Sequence, residues 1–225
     1  MPDLWVAGQP YEYFMGRWSR LIAHAFIQWL SPPPSLRWLD IGCGTGALSE
    51  TILAHASPAS VLAVDLSEGF IAFAKRKLAD SRITFWIGDA LHLPADAHAL
   101  QVVVSGLVLN FIPKPVTALR AMRQVLQPDG MIALYVWDYA GRMEMLRYFW
   151  DSVVALNPQA HALDEGIRFP VCQPDPLTQV CAEVGLHHIE IKGLETTTTF
   201  ADFADYWSPF LSGQGPAPGT SPGWV

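Results

Sequence analysis

The sequence is short of charge. Only 16% of its 225 residues are Asp, Glu, Lys or Arg, against roughly 25% in typical soluble domains. The basic side is the thinner one, with 14 Lys and Arg against 21 Asp and Glu and a net charge of −7. No basic stripe runs along the chain, so a surface that tracks nucleic-acid phosphates is not expected. Cysteine is scarce too. Cys43, Cys172 and Cys181 are odd in number, far apart and without a CxxC pair. That disfavours a disulfide framework and points to a reducing, cytoplasmic setting. No apolar run reaches about 18 residues, so no membrane-spanning helix is expected. The close histidine pairs, His92/His98 and His187/His188, lack the Cys or carboxylate spacing of a zinc site, and no metal is expected. No internal repeat stands out.

What the chain has is hydrophobic bulk. Hydrophobic residues make up 51%, with nine Trp, enough for a sizeable core and some lining of a pocket or interface. The expectation is one domain over residues 1–212. Within it, 1–35 supplies covering helices, 36–137 a ligand-binding core, and 138–212 further helices with a sixth strand. From Gly213 to Gly223, seven of eleven residues are Gly or Pro, which reads as a disordered tail over 213–225. The segment Leu21 to Leu30 has the length of a signal-peptide core. Its spacing argues otherwise, because Trp18, Leu21, Ile22, Ala25, Phe26, Trp29 and Leu30 share one helical face. The triproline 32–34 then breaks the helix.

Strand and helix patterns alternate from there. Strands are expected at Leu36–Ile41, Val61–Asp65, Ile83–Ile87, Val102–Val104 and Met131–Trp137. Between them lie helical stripes: Leu48, Ile52 and Leu53; then Phe70, Ile71, Ala74 and Leu78 behind a Ser67 N-cap; then Val116, Leu119, Met122 and Leu126. Strand five is nearly all apolar, as a strand buried on both faces must be. Further helices are expected around Leu146–Val153, from an Asp175-Pro176 start to Gly185, and at Phe203–Phe210. Four repeats of this alternation define an α/β protein with a doubly wound, mostly parallel sheet and helices on both faces. Ligands in such sheets bind beyond the carboxyl ends of the strands.

The residues after each strand carry the chemistry. Asp40-Ile41-Gly42-Cys43-Gly44-Thr45-Gly46 joins a strand to a helix through glycines that permit a sharp turn and close ligand approach. The helix N-terminus behind them offers free N–H groups to an anionic or carboxylate-bearing ligand. Gly42, Gly44 and Ala47 also satisfy the dinucleotide pattern G-x-G-x-x-A. Asp65 lies 23 positions beyond Gly42, where a carboxylate can take both ribose hydroxyls of a nucleoside or a dinucleotide. Asp89, in Gly88-Asp89-Ala90, puts a further acceptor where an adenine edge would lie, which favours an adenosyl ligand. Asp138 and Tyr139 after strand five, and Asn110 after strand four, are candidates for a catalytic base.

Together these segments resemble the class I S-adenosylmethionine-dependent methyltransferases. The likeness is strongest to the small-molecule subgroup that includes ubiquinone- and menaquinone-type methyltransferases. Val103 to Pro113 resembles the family's fourth motif. Val125 to Gly130 resembles the loop before its fifth strand, where Gly usually stands in place of Asp129. The resemblance implies a Rossmann-like fold and S-adenosylmethionine as cofactor, with S-adenosylhomocysteine as product. It implies that Gly42, Cys43, Gly44 and Gly46 cradle the methionine part and that Asp40 meets its amino group. It further implies that Asp65 holds the ribose, Leu66 packs on the adenine, and Asp89 and Ala90 read it. Ser105 and Leu107 would border the sulfonium, and Arg17 would meet the cofactor carboxylate. The implied reaction is methyl transfer to a small, largely apolar acceptor by in-line displacement. The acceptor pocket would draw on Trp5, Tyr11, Trp137, Tyr139, Phe169 and Trp207. Two rival readings are a nicotinamide-dependent oxidoreductase with a similar sheet and a non-catalytic cofactor-binding relative. The family sheet usually ends in a hairpin of strands six and seven. Here Leu186 to Leu194 reads as strand six, while strand seven is missing or altered.

Overall fold

The computed structural model describes residues 15–93 and 100–211. The expectations at Trp5 and Tyr11, and for the tail 213–225, lie outside them. The chain runs α1 (Arg17–Leu30), β1 (Arg37–Ile41), α2 (Ala47–His55), β2 (Ser60–Asp65), α3 (Glu68–Lys77), β3 (Ile83–Ile87) and β4 (Leu100–Gly106). It continues with α4 (Pro115–Val125), β5 (Leu126–Tyr135), α5 (Glu144–Leu156), α6 (Glu165–Arg168), α7 (Pro174–Glu183) and α8 (Phe203–Trp207). The five strands form one sheet in the order β3-β2-β1-β4-β5. Every adjacent pair is parallel. The order reverses between β1 and β4, so the crevice expected of a doubly wound sheet opens at their carboxyl ends.

The period of the sequence decides which side chains meet. Trp38, Val61, Val102 and Val104 point to one face and pack on Ala23, Phe26 and Ile27 of α1 and Leu48 and Ile52 of α2. Leu39, Ile41, Val64 and Val103 point to the other and pack on Leu119 and Met122 of α4 and Cys181 of α7. Trp38 and Phe26 are wholly buried, each contributing roughly 1.5–3 kcal/mol by area. Local signals set the helix ends. Ser31 takes a left-handed conformation at the end of α1, with φ 42°, and three prolines follow. Ser67 caps α3 by accepting a hydrogen bond from the Phe70 N–H at 3.2 Å. The basic run Lys75-Arg76-Lys77 occupies the last turn of α3, where it favours the helix dipole.

Three expectations need correction. Helix α7 begins at Pro174, not at Asp175-Pro176. Pro174 takes the first turn, where a missing N–H costs nothing, and Asp175 sits by the positive helix end. Strand five begins earlier than Met131 and ends at Tyr135 instead of Trp137. Leu100 pairs with Leu126 while Val102 pairs with Met131. Two residues of β4 are thus matched by five of β5, and the Pro128-Asp129-Gly130 turn bulges out of the ladder. Finally, Leu186 to Leu194 is not a strand. It carries the right alternation, with Ile189 and Ile191 half-exposed, but alternation makes a strand only where a partner edge is within reach.

The bulge makes a stability prediction. Asp129 sits at φ +64°, which costs an L-residue roughly 1–2 kcal/mol, somewhat less for Asp. Asp129→Gly is expected to gain about 1 kcal/mol, a Tm rise of roughly 2–4 °C, whereas Asp129→Ala lowers the Tm. Calorimetric melting of the two variants checks this, and a Gly variant no more stable than the Ala variant refutes it.

Candidate active site

The site is assembled from the ends of β1, β2, β3 and β4. The turn after β1 is folded back onto β2: the N–H groups of Gly42 and Cys43 both donate to the Val64 carbonyl, at 2.8 and 3.0 Å. Gly42, Gly44 and Gly46 have φ of +69°, +54° and +88°, a left-handed path that side chains resist. The reasons differ along the turn. A Cβ on Gly42 would lie 2.5 Å from Val108, so that glycine lets the turn pack on the segment after β4. A Cβ on Gly44 would meet nothing closer than 4.0 Å, so that glycine faces open space. The first serves the fold and the second leaves room for a ligand.

Asp65 ends β2 and ties the turn down. One carboxylate oxygen accepts from the Gly44 N–H at 2.9 Å, the other from the Ser67 N–H at 2.8 Å. Burial raises its pKa, opposed by those amide hydrogen bonds. Leu66 beside it is 69% exposed, an apolar platform at the strand end. Across from it Asp89 accepts from the Leu91 N–H at 2.9 Å, with its other oxygen 3.4 Å from the exposed His92. Ala90 packs on the core below.

Asp40 lies deeper than expected. It is fully buried, and one oxygen accepts from the Ser49 hydroxyl of α2 at 2.6 Å. Its other oxygen has no hydrogen-bond partner among the described residues. Burial pushes its pKa up to about 7, with the nearby Asp65 charge adding to the rise. The Cys43 thiol is buried beside both acids and its pKa is driven well upward, so it is a packing residue and not a nucleophile. At the end of β4, the buried Ser105 hydroxyl and the amide of Asn110 also lack partners among the described residues. Leu107, between them, is held at φ +61° and donates its N–H to the Tyr135 carbonyl at 2.8 Å. Buried polar groups are ordinarily satisfied. Orphaned atoms on Asp40, Ser105 and Asn110, with open space over Gly44, fit a polar ligand in the β1/β4 crevice.

The remaining candidates fall elsewhere. The Arg17 guanidinium is paired with Asp205 of α8 at 3.1 Å and lies over the rings of Trp18 and Phe200. It binds α1 to α8, and in this structure its partner is a protein carboxylate. Asp138 accepts from the Gly141 N–H at 3.0 Å and closes a turn. Tyr139 is buried beside Phe169, whose ring also meets Phe111. Trp137, Phe169 and Trp207 join Tyr139 in one aromatic cluster with Trp18, Phe149 and Phe210.

Some site residues escaped the sequence reading. Ser49, Asp205 and Tyr135 carry no local motif. Gly106 gave one signal: a Cβ there would sit 2.5 Å from the Tyr135 hydroxyl, so a bare backbone at the end of β4 makes room for a ring from β5. Glu165 also went unnoticed. It is buried, accepts from the indole N–H of Trp150, and burial raises its pKa to about 7. The adjoining Gly166 packs against Tyr139 and Ala140 in the loop after β5. Asp164 next to it pairs with Arg147 at 2.5 Å. Among the described residues no three His, Cys, Asp or Glu side chains converge as a metal site.

Fold and rim together define a doubly wound α/β protein with a polar crevice at the ends of β1 and β4, and sequence comparison shows what it is similar to. Residues 39–134 match the methyltransferase-domain family. The chain is 33% identical over 131 residues to malonyl-[acyl-carrier protein] O-methyltransferase of Methylococcus capsulatus, covering 57% of this chain and 46% of that protein. It is 35% identical over 106 residues to demethylmenaquinone methyltransferase of Clavibacter sepedonicus, covering 47% and 42%. The chain thus spans less than half the length of these two relatives. Phosphoethanolamine N-methyltransferase 2 of Haemonchus contortus shares the fold, with a TM-score of 0.61 at 19% identity over 80% of this chain and 41% of that one. The likeness to a methyltransferase domain thus rests on residues 39–134, the segment that carries the five strands and the glycine turn.

The two buried acids set a pH dependence. Asp40 and Glu165 hold protons near pH 7 that the unfolded chain has released by about pH 4–5. The native state therefore binds more protons across that window, and stability falls as pH rises from about 4 to about 7. Glu165→Gln keeps an acceptor for Trp150 and removes the ionisable group. It is expected to gain on the order of 1–3 kcal/mol at pH 8 and little at pH 4. Urea unfolding at both pH values tests this; equal gains at the two would contradict it.

Proposed function

We propose that this chain transfers a methyl group from S-adenosylmethionine to a small, largely apolar acceptor. The observation that carries the reading is the left-handed glycine turn after β1, pinned by Asp65 and open above Gly44. Its residues fit the cofactor. The loop amides and the positive end of α2 suit the carboxylate of the methionine part. Asp65 keeps lone pairs for the ribose hydroxyls while holding Gly44 and Ser67. Leu66 and Ala90 suit the faces of the adenine, and Asp89 its exocyclic amine. Asp40, walled off beneath the turn, acts toward the amino group through the turn itself or a bound water.

When bound, the cofactor supplies a methyl group on an already activated sulfonium. The chain's task is then to orient the acceptor and exclude water, and orientation can account for up to roughly 7–11 kcal/mol of a barrier. Asn110, with its amide unpaired at the end of β4, is suited to hold a polar atom of the acceptor. The rings of Phe111, Phe169 and Tyr139 suit its apolar body. Asp138 is committed to its turn, which makes it the weaker candidate for a base. Demethylmenaquinone, named in one relative above, is the apolar acceptor to try first, and malonyl-[acyl-carrier protein], named in the other, is the polar, protein-borne contrast. The family match lends nothing to the nicotinamide alternative.

Calorimetry with S-adenosylhomocysteine tests the reading: binding at micromolar concentrations supports it, and no heat from folded protein at high micromolar ligand overturns it. A second prediction separates ligand from fold. Gly44→Ala is expected to cost only about 1–2 kcal/mol of stability, the left-handed penalty, yet to lower affinity for S-adenosylhomocysteine at least roughly tenfold, about 1.4 kcal/mol. Gly42→Ala clashes with Val108 and loses stability more than Gly44→Ala does. Melting curves and titrations of both variants decide, and unchanged affinity in Gly44→Ala would remove the turn from the binding site.

A further inference from the structure

Tyr135 closes β5 on the sheet face that carries α1 and α2. Asp40 is matched with Val104 in the β1–β4 ladder, and Val104 with Ala133 in the β4–β5 ladder. Side chains return to the same face every second residue. The next row on that face is therefore Gly106 with Tyr135, which are partners in the same ladder, and Gly42 just past β1. The row lies one step beyond the Asp40 carboxyl, at the carboxyl ends of the strands.

The Tyr135 ring leans across its neighbour. A Cβ on Gly106 would meet the Tyr135 hydroxyl at 2.5 Å and the ring carbon that bears it at 2.7 Å. The hydroxyl thus lies over β4, about one strand spacing of 4.8 Å nearer the glycine turn than the backbone of Tyr135 itself. Gly106 is not among the glycines held at positive φ, so its missing side chain answers a need for space and not for a special backbone. On the helix side, Phe26 of α1 packs on the ring at 4.7 Å and 48°. Between Phe26 and the bare backbone of Gly106 the ring has one place to lie, and its polar tip is carried to the β1/β4 crevice. A ring that only filled the core here would need no hydroxyl, whereas an amphipathic ring puts its apolar body inside and its polar tip where polar groups meet it. Asp40, with one carboxylate oxygen unpartnered among the described residues, lies on the same face one row below.

We propose that the Tyr135 hydroxyl is a contact for the amino-acid end of S-adenosylmethionine, an inference that rests on the methyl-transfer reading above. That end carries an ammonium and a carboxylate. The turn amides can only donate, so they suit the carboxylate alone. A phenol hydroxyl both donates and accepts, so it serves either charge from the β4 side of the crevice. The adenosine end lies out of its reach, because Asp65 and Asp89 follow β2 and β3, on the far side of β1 from β4 and β5. Removing the hydroxyl should then weaken only ligands that have an amino-acid end.

Calorimetric titration of the full chain tests this with two probes: S-adenosylhomocysteine, and 5′-methylthioadenosine, the same nucleoside thioether without the amino-acid end. Tyr135→Phe keeps the ring against Phe26 and over Gly106, and its Tm is expected to match that of the wild type. Its affinity for S-adenosylhomocysteine is expected to fall about tenfold, as for the loss of one hydrogen bond to a charged group. Its affinity for 5′-methylthioadenosine is expected to stay the same. Equal losses for the two probes overturn the proposal, since they make Tyr135 a support for the whole crevice and not a contact for one end. No loss for either, in a protein whose wild type binds both, overturns this inference alone. A folded wild type that binds neither probe removes the methyl-transfer reading and this inference with it.

Discussion

One carboxylate holds the functional rim together. Asp65 accepts hydrogen bonds from the amides of Gly44 and Ser67, and so joins the turn after β1 to the start of α3. Without it, three left-handed glycines would form a mobile loop, since glycine has the most backbone freedom to lose. The Val64 carbonyl adds a second tie by accepting from both Gly42 and Cys43. Bonds to a charged acceptor are the stronger kind, roughly 1.5–3 kcal/mol each. The turn is therefore preorganised before any ligand arrives, and a ligand is spared that ordering cost.

The rim was legible in the sequence because its signals are local. Most strands are short β-branched or aromatic runs, and the informative residues lie at or just past their carboxyl ends, as Asp65 closes β2 after Val61–Val64. Ser67, Gly185 and the Pro128-Asp129-Gly130 turn act within three or four residues, so their roles survive folding unchanged. What was not legible depends on pairs distant in the chain. Arg17 finds Asp205 across 188 residues, and no spacing rule predicts that. Leu186 to Leu194 has strand alternation, but whether it pairs depends on what lies beside it. Helix α7 started two residues early because Pro174, an equally good first residue, precedes Pro176.

Burial sorts the acids by role. Asp40 and Glu165 are both hidden and both have raised pKa values, yet they serve different parts of the molecule. Asp40 joins β1 to α2 through Ser49 directly beneath the glycine turn. Glu165 joins α6 to Trp150 of α5 on the far side of the loop after β5. A buried carboxyl that keeps its proton can sit in an apolar setting at far less cost than a charged one. The charge poverty of the sequence is consistent with this, since several of its few acids are held in the interior with one specific partner each.

The two halves of the site differ in how tightly they are specified. On the cofactor side, backbone conformation and fixed hydrogen bonds leave little freedom: Gly42 cannot carry a side chain, and Asp65 cannot move without releasing two amides. On the proposed acceptor side, the contacts are between rings. Phe111, Phe169 and Tyr139 meet edge to face or tilted at 5.3 and 5.8 Å, contacts that tolerate substitution by other rings and aliphatic groups of similar volume. A scaffold of this kind can keep its cofactor chemistry while its acceptor changes. The unpaired Asn110 amide lies where these halves meet. It is the point at which a directional hydrogen bond, in place of shape alone, would select the acceptor, because a buried amide left unpaired by the wrong ligand costs about 1–3 kcal/mol.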